Sequence, residues 1–231
     1  MPCNKPLKGY RGRGGKLTQK KIGSLEQMLT VPCGSCRGCR IDRSRDWAVR
    51  CVHEAQMHEF NCAITLTYSD EHLPKDRSLK KRHFQNFMKE LRAEIAPIRV
   101  RQFHVGEYGE ELGRPHYHAL IFGYDFPDKY FWRNSQRGNP QFRSPQLEKL
   151  WRKGHSTIGH MTWETAAYCA RYVLKKINGK QQEDHYWYVD KETGEAWDVD
   201  PEYTTQSNRP GIGATWFERY WRDVYPKDFI N

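Results

Sequence analysis

Two histidines two residues apart, His116 and His118, stand before the apolar run Ala119, Leu120, Ile121 and Phe122, which Gly123 closes. The run predicts a strand, and residues two apart on a strand share a face. The imidazoles therefore project side by side. Glu107 closes the preceding strand-like run, Ile98 to Gly106. Gly109 and Gly113 fall in the polar connection and favour a hairpin there. Such a hairpin would return the Glu107 carboxylate to the two histidines. Two imidazoles and one carboxylate, with positions left open, make the donor set of a catalytic divalent-metal site. Glu110 and Glu111 lie in the same connection and are the alternative carboxylates. Two histidines on an exposed strand face need bind nothing, so the pair has to be weighed with the rest of the chain.

A second chemical pattern lies downstream. Thr162 predicts the cap of a helix that runs to about Ile177 and stops before Asn178 and Gly179. Tyr168 and Tyr172 are four apart on it and share one face, with Lys175 and Lys176 one turn further. A tyrosine hydroxyl, with pKa ~10, is a poor nucleophile at neutral pH unless a base or cation assists. A neighbouring lysine can stabilise the phenolate, or charge building on a phosphate. The ordinary use of two tyrosines at this spacing is core or rim packing.

Cys33, Cys36 and Cys39 make a Cys-x-x-Cys-x-x-Cys run with Gly34 and Gly38 between them. Cys3 can supply a fourth thiolate for a tetrahedral structural zinc, and Cys51 is the rival fourth ligand. An iron–sulfur cluster or free thiols are the other uses of the same run. A zinc would staple a basic arm that cannot fold alone, because residues 4–32 are rich in Lys, Arg and Gly and read as extended or loosely ordered.

The charge distribution separates this arm from the remainder. Net charge is +10, from 38 Lys and Arg against 28 Asp and Glu. Residues 1–50 hold 12 of the basic and 3 of the acidic residues, so nearly the whole excess sits in the first fifty. That segment points to a polyanion partner, nucleic acid foremost, against the blander reading of a solvated tail. With 231 residues, 37% of them hydrophobic, the chain can bury a sizeable core and is not disordered as a whole. It has no apolar run long enough for a membrane span, and its polar, basic start is unlike a secretory leader. The expectation is an intracellular protein with reduced cysteines.

The elements that must position these residues follow from periodicity. Arg40 to Phe60 has a helical pattern, with Arg40, Arg43, Arg45 and Arg50 off its apolar face. Those arginines could follow a nucleic-acid backbone or simply be solvated. Asn61 to Tyr68 alternates as a half-buried strand, and Ser78 is expected to cap a helix running to about Ile95. Tyr124 to Pro145 reads as a loop-like insertion rich in aromatics and Arg, a second place where a nucleic acid could be gripped by stacking and charge. A short helix over Gln146 to Lys153 and a strand over His155 to Met161 follow. After the tyrosine helix come a hairpin within His185 to Asp200 and an aromatic helix over Trp216 to Tyr225. The fold class is therefore α+β. Its β-α-β-β-α-β order is ferredoxin-like, with the middle helices on one face of an antiparallel sheet and the other face open. The expected organisation is residues 1–59 as a Cys-rich basic arm plus helix, and residues 60–231 as the main domain.

Arg114-Pro115-His116-Tyr117-His118 resembles the His-hydrophobic-His motif of HUH endonucleases, the initiators of rolling-circle replication. Tyr168-x-x-x-Tyr172-x-x-Lys175 resembles their two-tyrosine nucleophile motif, and Thr65-Leu66-Thr67-Tyr68 their first-strand motif, in the same chain order. The likeness is greatest to initiators of microviruses of the gokushovirus type. It extends to Cys33–Arg40, to Thr67–Pro74 and to Arg209-Pro210-Gly211-Ile212-Gly213. The resemblance implies a site-specific nickase and strand-transferase acting on single-stranded viral DNA at the replication origin. It implies Mg²⁺ or Mn²⁺ held by His116, His118 and a third ligand, here Glu107 by position. Tyr168 and Tyr172 would be nucleophiles assisted by Lys175 and Lys176, with Arg114 and the arginines of residues 40–50 on DNA. A host polymerase would extend the freed 3′ end in the host bacterial cytoplasm. No Gly-x-x-x-x-Gly-Lys-Ser/Thr loop occurs, so unwinding would need a host helicase. The alternatives are a non-catalytic nucleic-acid-binding module, or a transposase or relaxase of the same superfamily.

Overall fold

The structure, a computed structural model, describes residues 3–11, 17–18, 28–109, 113–175, 186–189 and 193–224. Its centre is Asn61–Tyr68 (β4), whose buried and half-buried positions alternate as the sequence predicts. This strand pairs antiparallel with Pro115–Phe122 (β6) on one side and Gly154–His160 (β9) on the other. Arg101–Tyr108 (β5) flanks β6, also antiparallel. The spatial order β5-β6-β4-β9 is the ferredoxin-like arrangement. Three further strands widen the sheet to seven. Tyr203–Gln206 (β12) adds to β5, and the hairpin Tyr130–Asn134 (β7) and Pro140–Arg143 (β8) adds beyond β9.

That hairpin corrects the expectation of a loop over 124–145. Every residue of β7 is exposed, so no apolar alternation marks it, and it forms the outer edge of the sheet.

Lys81–Glu94 (α2) and Pro145–Trp151 (α3) cover one face. Phe84, Phe87, Leu91 and Trp151 pack there on Ile64, Leu66 and Ile158. Burying side chains of this size contributes roughly 1.5–3 kcal/mol each. Ser144 caps α3, its Oγ accepting from the Leu147 amide at 3.1 Å. Ser78 does not cap α2, which starts three residues later. Its hydroxyl instead accepts from the Asp200 amide at 2.8 Å, tying the C-terminal segment down.

The opposite face is not open. Arg37–Ala55 (α1) and Trp163–Lys175 (α4) cover it. Ala48, Cys51, Ala166, Cys169 and Ala170 form a close interface with Phe103, Val105, Leu120 and Phe122 of the sheet. The cause was visible in β6. Ala119 to Phe122 is apolar without alternation, the pattern of a strand buried on both sides. Thr162 does cap α4, its Oγ1 accepting from the Thr165 amide at 3.3 Å.

The Arg209–Gly213 segment clamps α1 to the sheet. Glu54, 1% exposed, accepts from the Gly213 amide at 2.7 Å and from Arg101 at 2.5 Å. Arg50 donates to the Ile212 carbonyl at 2.9 Å. Gly213 has φ +77°, and a Cβ there would meet the Arg50 carbonyl oxygen at 3.0 Å, so the clamp requires glycine.

The amino-terminal arm has more order than composition implied. Leu7–Arg11 (β1), Leu17–Thr18 (β2) and Met28–Val31 (β3) form a small antiparallel sheet. Trp187–Val189 (β10) pairs with Ala196–Asp198 (β11) as the expected hairpin. Ala214–Val224 (α5) packs back through Trp216, stacked on His53 at 3.6 Å.

Candidate active site

The β5–β6 hairpin is in place, with the Gly109 amide donating to the Arg114 carbonyl at 3.0 Å. Its register sets Glu107 opposite His116 and Val105 opposite His118. On the other edge of β6, β4 sets Thr67 opposite His116 and Thr65 opposite His118. Glu107 is the next-to-last residue of β5. It shares the covered face of the sheet with both histidines, beneath α4.

Each imidazole is held by named atoms. His116 Nδ1 lies 2.6 Å from the Arg114 carbonyl oxygen, which can only accept. The ring proton therefore sits on Nδ1, and Nε2 presents a bare lone pair. Burial holds the pKa of His116 below the ordinary histidine value, with the Arg114 carbonyl opposing, so the ring stays neutral. His118 Nε2 lies 2.6 Å from Glu107 Oε1, and its Nδ1 lies 3.0 Å from Thr65 Oγ1. Glu107 is 4% exposed, so its carboxylate is a desolvated acceptor that must be partnered. Gly109 leaves room for His116, because a Cβ there would approach its Cε1 to 3.2 Å. The rings of His116 and His118 stand 6.4 Å apart. Imidazole and carboxylate are donor types that bind divalent cations, but the ligand atoms of Glu107, His116 and His118 do not all lie within the 4.8 Å spacing that would group them as a metal site.

Helix α4 sets both tyrosines over this group. The Tyr172 ring stacks parallel on His118 at 5.6 Å, and the Tyr168 ring meets His118 edge-on at 5.1 Å. The two phenol rings are 5.2 Å apart. Tyr172 is 6% exposed, while Tyr168 is half-buried with Arg171 over its ring at 5.4 Å. Burial pushes the Tyr172 hydroxyl well above the usual phenol value, and its hydrogen bond to Tyr168 and the nearby Glu107 charge add to this. Sequence reasoning placed Thr65 only within a strand motif. Its contact with His118 follows from the pairing of β4 with β6, which a single strand's pattern does not record. The side chain of Lys175, and Lys176, Glu110 and Glu111 as a whole, lie outside the described residues.

The four predicted sulfurs also converge. Cys3, Cys33, Cys36 and Cys39 have Sγ atoms all within 4.8 Å of one another, and the cluster could hold a metal ion. Among the described residues no other group of three or more such ligands meets that spacing. Cys51 does not join it: it is fully buried against α4, about 18 Å along α1 from Cys39. Backbone hydrogen bonds from Ser35 and Cys36 draw the Cys33 thiol down to about 6, and backbone bonds from Cys39 and Asn4 lower Cys36. Cys39 is pushed up to about 12, chiefly by burial.

The arginines divide by use. Arg43 donates to the Gly34 carbonyl at 3.1 Å, bracing the cysteine loop, while Arg50 stacks on Trp47 at 4.4 Å besides clamping Ile212. Arg114 donates to the Tyr68 carbonyl at 2.9 Å and pairs with Asp70. Arg45 is exposed and Arg40 half-buried on α1.

Comparison with known proteins gives a consistent picture. The family model described as replication-associated protein ORF2/G2P matches residues 61–177, from β4 through the tyrosine helix. Replication-associated protein VP4 of Bdellovibrio phage phiMH2K is 31% identical over 243 residues, spanning all of this chain and 71% of that protein. Replication-associated protein ORF2 of Spiroplasma virus 4 is 33% identical over 250 residues, spanning all of this chain and 74% of its own. Replication-associated protein ORF4 of Chlamydia phage 1 is 34% identical over 154 residues, covering 64% of this chain and 38% of that one. No solved structure matches the chain. No helix among the described residues is long and apolar enough to cross a membrane.

Proposed function

Because this chain belongs to the replication-associated protein ORF2/G2P family, we propose that it nicks single-stranded DNA at a replication origin with a tyrosine nucleophile and later rejoins the strand. The observation that carries the reading is the packing of Tyr168 and Tyr172 against His118, over a sheet face that also bears Glu107 and His116. A structural tyrosine pair has no need of two histidines and a buried carboxylate beneath it.

In the reaction, the oxygen of Tyr168, the more accessible phenol, attacks phosphorus in line. The bond from phosphorus to the 3′ oxygen breaks, the phenolic proton ends on that oxygen, and the 5′-phosphate stays on the tyrosine. After a round of copying, Tyr172 cuts the regenerated origin. The released 3′-hydroxyl then attacks the first phosphotyrosine and closes a circle. The phosphodiester's energy is kept in the tyrosine ester throughout. The two phenols are held at ring contact, so one can keep a strand end while the other cuts.

A divalent ion such as Mg²⁺ or Mn²⁺, held by Glu107, His116 and His118, would neutralise charge on the scissile phosphate. For His118 to offer Nε2, its proton must move to Nδ1, where Thr65 Oγ1 is placed to accept it. Lys175 and Lys176 follow Tyr172 by one turn in sequence and supply the cationic partner for the phenolate. A structural zinc held by Cys3, Cys33, Cys36 and Cys39 would fasten the small N-terminal sheet to the start of α1. Arg40 and Arg45 offer charge to the phosphate backbone.

The test is incubation with labelled single-stranded DNA tiling the origin, with Mg²⁺ or Mn²⁺ and then with EDTA, read on a denaturing gel. A metal-dependent covalent protein–DNA band, lost in Tyr168→Phe with Tyr172→Phe, supports the nickase. Tight DNA binding with no covalent species from any oligonucleotide refutes it and leaves a binding module.

A further inference from the structure

The β7–β8 hairpin is a part of the fold that the reaction above does not use. It carries an unusual surface. Residues 129–147 contain Lys129, Arg133, Arg137 and Arg143 and no acidic residue. Tyr130 is 51% exposed and Trp132 is 39% exposed, which is much apolar ring surface to leave in water. Trp132 sits at the register shift between Phe131 and Arg133. The Arg133 guanidinium lies over its ring at 3.9 Å, and that of Arg143 at 5.5 Å. Arg133 also donates to Gln141 at 3.1 Å, so a neutral partner orients it and leaves its charge intact. Arg143 shares its charge with Glu148 at 2.7 Å.

Strand parity says which side of the sheet this surface takes. Phe142 pairs with Ile158, whose side chain packs with α2 and α3. Gln141 and Arg143 therefore point to the opposite side, and so do their cross-strand partners Arg133 and Tyr130. Thr157 opposes Thr65, which opposes His118, so this is also the side of the tyrosine site. Between them runs β9, whose Gly159 has only the Ala63 carbonyl near a built Cβ, at 4.0 Å. The sheet continues from the site as a shelf, ending four strand spacings from His118, about 19 Å.

We infer that the β7–β8 hairpin is a stacking platform for single-stranded DNA leading away from the tyrosine site. A base stacks on Trp132 and its overlying guanidinium, and Arg133 and Arg137 take the flanking phosphates. Aromatic rings bind bases without regard to sequence, and a basic surface follows the backbone. Arginine planes over indole make the platform stiff before DNA arrives, which lowers the ordering cost. The inference rests on the nickase reading for the position of the strand, but binding and cutting can be measured apart.

The experiment uses the full chain and fluorescent thymidine homopolymers of 8 and 30 nucleotides, with affinity followed by anisotropy across a salt series. Trp132→Ala should weaken binding of the 30-mer about tenfold, within the range for loss of one stacked base, and Trp132→Phe should recover most of it. Arg133→Ala with Arg137→Ala should lower the salt slope by about 1.4, for two single-strand phosphates. The 8-mer should respond less than the 30-mer. Affinity within twofold of wild type in both variants overturns the platform, as does equal weakening by Trp132→Ala and Trp132→Phe. Covalent-adduct formation on oligonucleotides tiling the origin is read in parallel. If wild type forms none while Trp132→Ala still loses affinity, the nickase reading falls and the platform stands. If adducts form and affinity is unmoved, the reverse holds.

Discussion

Replacing Thr65 by Val tests whether the central strand positions the chemistry. The change keeps the β-branched shape that a strand favours and removes one hydroxyl. That hydroxyl lies 3.0 Å from Nδ1 of His118, a ring whose other nitrogen faces Glu107 at 2.6 Å. With both partners present, His118 is fixed in one orientation and can hold its proton on Nδ1. With Val, Nδ1 loses its partner in a site that is 7% exposed, where water replaces it poorly. An unpartnered buried polar atom costs ~1–3 kcal/mol. For a metal-ligating histidine, loss of the outer partner lowers affinity roughly 10- to 100-fold. Covalent adduct yield, titrated against Mn²⁺, should therefore shift its midpoint upward by that factor for Thr65→Val. Thr65→Ser, which keeps the oxygen, should stay within about threefold of wild type. A melting-temperature decrease of a few degrees is expected alongside. A Thr65→Val midpoint within twofold of wild type would refute the orienting role. Equal loss in Thr65→Ser would assign the effect to packing instead.

Other outcomes follow from the same geometry. Tyr168→Phe should abolish adduct formation in a single-cut assay, by more than 100-fold, while Tyr172→Phe keeps the first adduct and loses circle closure; the reverse pattern would exchange their roles. Purified protein should carry about one zinc per chain by elemental analysis, reduced in Cys36→Ser and unchanged in Cys51→Ala, since Cys51 lies away from the cluster. Burial, aided by the Lys81 charge, holds His104 down at about 3 where it stacks on Phe84 at 3.7 Å. The native ring stays neutral while an unfolded histidine takes up a proton below pH ~6.5, so this contribution is present above that pH and lost as pH falls toward 3. Chemical denaturation at pH 7 and 4.5 should show stability falling by on the order of 1 kcal/mol per pH unit through this window, with a smaller fall in His104→Gln.

The ferredoxin-like order was legible because its strands and helices carry their own periodicity. Cys62, Ile64, Leu66 and Tyr68 alternate, and Phe84, Phe87, Met88 and Leu91 make a helical stripe. The His116–His118 pair and the two tyrosines could be placed on faces for the same reason. Cover for the second face was not read, although the unbroken apolar run of β6 carried the signal. The outer strands β7 and β12 were missed altogether. In β7 and β12 backbone pairing with a neighbour, rather than side-chain burial, makes the strand, and single-sequence patterns do not record a neighbour. Ser78 was misplaced because a serine before a helix looks like a cap, whereas its partner, Asp200, is 122 residues away.

The clamp on α1 has a consequence in time as well as in space. Glu54 and the amide it holds at Gly213 are 159 residues apart, and Arg50 and the Ile212 carbonyl are 162 apart. On a ribosome working at ~5–20 residues per second, α1 is complete for about 8–30 s before its clamp is made. Its apolar side must wait through that interval for β5, β6 and α4 to arrive. The nascent chain therefore presents Ala48 and Cys51 on a helix without a partner surface, at the end of a fifty-residue segment that holds 12 Lys and Arg against 3 Asp and Glu.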